Sequence, residues 1–323
     1  MEFLLCLAHA DGGHRSHFAQ LIGLPIHRGS HAAGVKTFYD LDQVDHLLPH
    51  QVITRAPQPF TLTDEHQHFH GLAYTVGGKT YALDDFLLRP ETGGLLVIKG
   101  QGILLEHYGP GQDRQSRLTS LSMTRAVTGL LIGSTVQSGA SESSLHALDD
   151  YVPTRVSTNH DTAGVAGAMR TGSELPAAAG NHPATMLQER VWHAFGMESD
   201  ATWLLDGSEG TTGGCCVSAT LRDYARLGVL AARDGQLPDG SRLVPEGWIS
   251  ASLHSSDGQI GKGFLSLPGH ATLHEHQEIA NPQIFVDPDT GIVIAFHANP
   301  QSGTSDYAEH LQGVILALHD ASR

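Results

Sequence analysis

Two hairpin patterns that lie far apart in the chain constrain this fold more than any other feature. In Leu95–Tyr108, two apolar runs flank a turn that contains Gly100 and Gly102, and in Gln283–Phe296 two similar runs flank Asp287–Gly291. Apolar, partly β-branched runs around turns of this composition predict β-hairpins. We therefore expect an antiparallel sheet built from the N-terminal and C-terminal parts of the chain.

The segments between the hairpins carry helical patterns. Ser122–Ser138 has apolar residues at helical spacing and is followed by Gly139, which suits the left-handed conformation that ends many helices. Thr220–Arg233 opens with Thr220 three residues before Asp223, in the manner of a capping box. The sequence thus predicts a mainly helical insertion between the two hairpins.

A third helix is predicted over Tyr307–Ala321, with Ser305 and Asp306 as its N-terminal caps. The overall prediction is an α/β (α+β) fold in which an antiparallel sheet is flanked by helices. Its parts are an irregular N-terminal segment (1–66), a sheet part (67–115 and 258–323) and a mainly helical domain (116–257).

The charge of the chain excludes two classes of partner. Nineteen Lys and Arg against 34 Asp and Glu leave a net charge of −15 over 323 residues. Nucleic acids and anionic membranes need clustered cations, and no basic stripe is visible. No apolar stretch approaches the roughly 20 residues of a membrane span. We expect a small-molecule substrate and neither a nucleic-acid nor a membrane partner.

Cysteine usage bears on the location of the protein. The chain has three cysteines, Cys6, Cys215 and Cys216, of which two are adjacent. Because the number is odd and two are neighbours, an ordinary disulfide framework is not expected, and a reducing compartment fits best. The apolar run Phe3–Ala8 resembles the start of a secretion signal, but it is short and Glu2 replaces the usual positive charge. The sequence favours a cytoplasmic location over secretion.

Ser122 is the candidate nucleophile. It lies in Ser120–Arg125, where the helix after the first hairpin is predicted to open. In a first helical turn, residue 125 would share a face with Ser122, and the helix N–H groups would favour a developing oxyanion. The Ser-x-x-Arg spacing is common by itself. Its position at a helix start is what predicts a nucleophilic serine.

With its surroundings this motif resembles a family, the serine hydrolases related to class C β-lactamases, among them 6-aminohexanoate-dimer hydrolases and esterases. The helix of that family opens with Ser-x-x-Lys. Further similar segments are Leu95–Tyr108, Ile132–Gly139, Leu148–Pro153, Arg190–Trp203, Gly213–Gly228, Gly240–Trp248 and Gln283–Pro288. The resemblance implies a β-lactamase/transpeptidase-like fold and hydrolysis of a small amide or ester through an acyl-enzyme.

The resemblance gives the catalytic positions with two departures. Ser122 falls on the nucleophile, but Arg125 stands where the family has the Lys that accepts the serine proton. A guanidinium stays protonated at any working pH, so Arg125 cannot be the general base. The family's loop tyrosine has no match between Tyr151 and Tyr224, where the helical domain is shortened. The catalytic motifs are therefore degenerate, and activity is expected to be impaired.

The third family motif lies on an edge strand and supplies an oxyanion N–H. The matching stretch keeps Gln283, but the preceding Pro282 has no N–H to donate. We take Gln283 as a candidate substrate-binding residue and Lys262 as a candidate catalytic residue. The base that replaces the family Lys is then Lys262 or a histidine, for which the candidates are His107, His254 and His276.

Two other function classes stay open. An inactive family member would be a binding module in which Arg125 holds a carboxylate through two hydrogen bonds. A metal-binding protein would use histidines at alternating positions, His66, His68, His70, His274 and His276. For the hydrolase itself we predict neither a cofactor nor a metal, and the surface that the shortened helical domain exposes predicts a homodimer.

Overall fold

The computed structural model of the chain describes residues 45, 48–67, 69–120, 123–139, 182–205, 216–249, 264–266, 283–298 and 306–323, with the backbone alone at 125 and 264–266. The elements in chain order are β1 His50–Ile53, β2 Thr63–Asp64, β3 Ala73–Val76, β4 Lys79–Ala82, α1 Leu83–Leu87, β5 Thr92–Lys99, β6 Gly102–Tyr108, β7 Arg117–Ser120, α2 Thr124–Gln137, α3 Pro183–Leu187, a π-helical turn Gln188–His193, β8 Ala201–Leu204, β9 Val217–Thr220, α4 Leu221–Ala232, β10 Phe264–Ser266, β11 Gln283–Asp287, β12 Ile292–Ala298 and α5 Tyr307–Ser322.

Both predicted hairpins are confirmed, and they meet in one sheet. The sheet has the strand order β10-β11-β12-β5-β6-β2, in which β12 pairs antiparallel with β5 and so joins the two hairpins. The edge strands differ from the predicted antiparallel pattern, because β10 runs parallel to β11 and β2 runs parallel to β6. The sheet is therefore mixed, with an antiparallel centre.

Side-chain alternation gives this sheet two buried faces. Leu95, Val97 and Phe285 pack on one face against α5. Leu96 and Ile284 pack on the other face in a second core, which also contains residues of α2 and α4. Successive side chains of a strand point to opposite faces, so one set of strands serves both cores.

A second sheet adds strands that the sequence analysis did not predict. Strands β1, β8, β9 and β7 form a four-stranded antiparallel sheet in that order. Its strand β1 lies in the segment 1–66 that was predicted to be irregular, and its other three strands lie in 116–257, which was predicted to be mainly helical. These strands are only four residues long and pair with distant partners, so no local pattern marks them.

Helix α4 has the predicted N-terminus. The Thr220 hydroxyl caps it by accepting the N–H of Asp223 at 3.2 Å. The Asp223 carboxylate accepts the N–H groups of Glu198 and Ser199 at 2.8 and 3.0 Å, and it pairs with Arg226 at 3.3 Å. Burial raises the pKa of Asp223 to about 6, against the opposing effect of the Arg226 guanidinium. These contacts fix α4 against the loop before β8.

The other helix ends are partly as predicted. Gly139 follows α2 with a φ of 70° and donates its N–H to Val136 O, which confirms the predicted stop. Asp306 is the N-cap residue of α5, as predicted, but its side chain makes no capping hydrogen bond and accepts one from Arg89 at 3.2 Å. Within the described residues, none of the helices has the length and apolar character of a membrane span.

Candidate active site

The candidate nucleophile falls in a two-residue connection between β7 and α2. Ser120 ends β7 and Met123 is the N-cap residue of α2, so residues 121 and 122 link them. Ser122 and the side chain of Arg125 lie outside the described residues. Helix α2 starts at Thr124, later than the predicted first turn at Ser122, and its positive N-terminal end adjoins the connection.

Both ends of this connection are held by buried hydroxyl groups. The hydroxyl oxygens of Ser120 and Thr124 lie 2.7 Å apart. The Thr124 hydroxyl donates to Ser120 O at 3.2 Å and accepts the N–H of Val217 at 3.1 Å. The Ser120 hydroxyl donates to Val217 O at 3.0 Å. All three residues are fully buried, so the strand end and the helix start form one rigid unit.

Tyr224 of α4 completes this arrangement. Its hydroxyl donates to Leu118 O at 2.6 Å and to Val217 O at 2.9 Å. Burial raises the pKa of Tyr224, so the phenol stays protonated at neutral pH. Tyr224 thus contacts the candidate site without being suited to accept the serine proton. We call Ser120, Thr124, Val217 and Tyr224 the hydroxyl junction.

Gln283, which the resemblance places on an edge strand, opens the inner strand β11, and the edge strand at this side of the sheet is β10. It begins at Phe264, two residues after Lys262, and Lys262 itself lies outside the described residues. Gln283 opens β11 beside it and is buried, and its side-chain oxygen has no hydrogen-bond partner among the described residues. By alternation it shares the α5 face with Phe285, so its substrate-binding role stays a prediction.

His107, one of the proposed substitute bases, does not lie at this edge. It is on β6, which three strands separate from β10. Its partner across the ladder is Leu95, which packs on the α5 face. Burial lowers the pKa of His107. The other histidines that were proposed as bases, His254 and His276, lie outside the described residues.

The predicted histidine metal site does not form from the described histidines. His66 approaches Asp64 and His70 approaches Asp84, each at 3.9 Å. Among the described residues, the ligand atoms that lie within 4.8 Å of one another belong to Asp64, His66 and Glu106. The two histidines therefore serve different carboxylates. His68, His274 and His276 lie outside the described residues.

A guanidinium already contacts both carboxylates of that group. Arg222 donates to both carboxylate oxygens of Glu106 at 2.6 and 2.5 Å and lies 3.5 Å from Asp64. Tyr108 donates a further hydrogen bond to Glu106 at 2.7 Å. A bound divalent cation would have to compete with this buried positive charge. The arrangement is suited to holding α4 on β6, and it does not favour a metal.

Cys216, which precedes β9, differs from its sequence-based interpretation. It is buried, has a φ of 79°, and donates its N–H to Ser120 O at 2.7 Å. It is disulfide-bonded, and its partner lies outside the described residues. The prediction of reduced cysteines is therefore wrong for Cys216, because pairing depends on which cysteines the fold brings together and not on their number.

Sequence reasoning overlooked the hydroxyl junction. A signal was available, since Ser120, Ser122 and Thr124 place hydroxyl groups at alternate positions across the strand end and the helix start. Nothing local indicates that Val217, nearly a hundred residues later, supplies the backbone groups that two of these hydroxyls contact.

Comparison with known proteins identifies relatives by structure alone. No protein-family model matches the sequence, and no curated protein matches it. A protein named as a 6-aminohexanoate-dimer hydrolase, from Bacillus anthracis, superposes on 89% of this chain and 95% of its own, with a TM-score of 0.66 and 15% identity.

Two further solved structures share the fold. A penicillin-binding protein homologue from Caulobacter crescentus covers 71% of this chain and 92% of its own, with a TM-score of 0.52 and 15% identity. A family VIII carboxylesterase covers the same shares, with a TM-score of 0.50 and 12% identity. The predicted β-lactamase/transpeptidase-like fold is thus confirmed, at identities that speak for the fold alone.

Proposed function

We propose that this chain, which has the fold of the β-lactamase-like serine hydrolases, hydrolyses a small amide or ester through an acyl-enzyme on Ser122. The observation that carries the proposal is the place of Ser122 in the chain. It lies between an anchored strand end and the N-terminus of α2, in a fold that structures named as hydrolases share. The names of those proteins support the reaction class and leave the substrate open.

The reaction needs a proton acceptor. The Ser122 hydroxyl would attack the carbonyl carbon while its proton passes to a base, which then protonates the leaving amine or alcohol. Water would cleave the resulting ester and restore the serine. Arg125 cannot take this proton, and we propose Lys262, which precedes the edge strand β10, as the substitute. The missing family Lys predicts slow turnover.

Intact-mass measurement after incubation with a fluorophosphonate tests the proposal. We expect one adduct on the native protein, no adduct on Ser122→Ala or on heat-denatured protein, and an unchanged adduct on Ser241→Ala, which removes a hydroxyl on an exposed turn. A folded wild type that stays unlabelled would overturn the proposal that the protein is a serine hydrolase. Binding of small carboxylates to the protein would then be measured, because the alternative function is a binding module in which Arg125 holds a carboxylate.

Restoring the family residue is the companion prediction. Arg125→Lys should raise ester hydrolysis at least about 10-fold, because a positioned general base contributes about 10²- to 10⁴-fold. The measurement is the initial rate on a p-nitrophenyl ester, with Arg125→Met as the control that removes the guanidinium without adding a base. Equal rates for the Lys and Met variants would show that a base at position 125 does not limit the reaction.

A further inference from the structure

Strand β9 begins at Val217, which lies opposite Ser120 of β7 and Trp203 of β8. Both backbone polar groups of this buried residue are satisfied by side chains. Its N–H donates to the Thr124 hydroxyl, and its carbonyl accepts from the Ser120 and Tyr224 hydroxyls. The adjoining Cys216 N–H bonds to Ser120 O. The Thr124 hydroxyl on α2 therefore contacts the first residue of β9 directly.

The hydroxyl groups of Thr124 and Ser120 thus join the start of α2 to the end of β7. These two residues stand on either side of the connection that contains Ser122. The Thr124 hydroxyl contacts Ser120 O, in the residue before the connection, and Val217 N, in strand β9. Thr124 follows Ser122 by two residues in the chain, so these contacts lie next to the proposed nucleophile.

We propose that Thr124 is a positioning residue, whose hydroxyl fixes the start of α2 on β7 and β9 and thereby supports the reaction of Ser122. This inference rests on the proposed function. Misplacement of a reacting group by about 1 Å can reduce a rate about 100-fold, so the loss of one positioning contact is expected to appear in the chemistry and not only in stability.

Three substitutions separate positioning from packing. Thr124→Val keeps the shape of the side chain but leaves the Val217 N–H buried without its acceptor. Thr124→Ser keeps the hydroxyl. Thr92→Val is the matched control, since Thr92 is equally buried and its hydroxyl bonds to Phe86 O and the Tyr307 hydroxyl, both at 3.0 Å, in the α5 core.

The experiment measures the second-order rate of fluorophosphonate labelling at Ser122, at a temperature where melting curves show each variant to be folded. We expect Thr124→Val to react at least about 10-fold more slowly than wild type, and Thr124→Ser and Thr92→Val to remain within about twofold. Rescue by serine, together with an unaffected Thr92→Val of similar melting temperature, is a result that a purely structural role does not give.

The alternative outcomes are distinct. If wild type labels at Ser122 and Thr124→Val labels within twofold of it, the positioning role fails while the proposed function stands. An equal slowing of labelling in Thr92→Val also overturns the positioning role. A wild type that does not label at all overturns both proposals. Should Thr124→Val not fold, Thr124→Ala removes the same hydroxyl and should slow labelling at least about threefold; an unchanged rate overturns the role.

Discussion

At the scale of single residues, buried charges in this protein are matched by specific partners. Arg222 is 5% exposed, and its guanidinium forms a two-pronged contact with Glu106. Burial opposes ionisation of Glu106, but the hydrogen bonds from Arg222 and Tyr108 outweigh it and lower the pKa of Glu106 below its ordinary value. Removing either partner would leave a charge or a donor uncompensated in the interior.

We therefore expect Glu106→Gln to reduce the free energy of unfolding at pH 7 by about 3 kcal/mol, because it leaves the buried Arg222 charge with only the exposed Asp64, at 3.5 Å, as a counter-ion. Arg114→Gln is the control, since Arg114 is half exposed and pairs with Glu198 at 3.3 Å, and it should change the same quantity by less than about 1 kcal/mol. Urea unfolding gives both values. Equal effects of the two substitutions would contradict this account.

The pH dependence follows from the direction of the Glu106 shift. A carboxyl with a lowered folded pKa stabilises the protein above its unfolded pKa and loses that contribution as pH falls through the folded pKa. The difference in stability between wild type and Glu106→Gln should thus be largest near neutral pH and should shrink as pH falls below the ordinary value of 4.5.

At the scale of elements, α4 is the helix on which the site depends. It contributes Tyr224 to the hydroxyl junction and packs against β5, β11 and β12. Gly228 permits this close packing. A Cβ at that position would lie 2.7 Å from Ile284 Cγ2 and closer still to Val293 Cγ1. The glycine is required for the approach of helix and sheet and not for a special backbone conformation.

Gly228→Ala should consequently destabilise the protein by about 1 to 2 kcal/mol. Alanine gains about 1 kcal/mol in helix propensity, but overpacking of a close contact typically costs about 1 to 3 kcal/mol and here meets two side chains at once. The midpoint of urea unfolding checks this. A stability equal to or above that of wild type would show that β11 and β12 can yield to the extra methyl group.

At the scale of the whole molecule, the two sheets share one core. Trp192 and Trp203, from the segment around the four-stranded sheet, lie in the same apolar cluster as Leu96 and Ile98 of β5. Because β5 also carries the α5 core on its other face, the two cores are joined through one strand. Residues of 116–257 thus share a core with strands of the six-stranded sheet.

Unfolding should accordingly be a single cooperative transition. All three tryptophans lie within 116–257, so tryptophan fluorescence reports on that part, while far-UV circular dichroism reports on both sheets. We expect the two signals to give coincident urea transitions. Two separated midpoints, with fluorescence changing independently, would instead support two folding units with the predicted boundary.

The periodicity of the sequence predicted the central hairpins, helices α2, α4 and α5 and the Thr220 cap, because alternation, helical spacing and capping are properties of neighbouring residues. The resemblance of short motifs identified the fold and gave Ser122 as the proposed nucleophile. Pairing between β1 and β8, the contacts of Thr124 with Val217, and the burial of Arg222 against Glu106 were decided by the tertiary structure. Such contacts join residues that are far apart in the chain, and their free energy comes from burial that exists only once the whole core has formed.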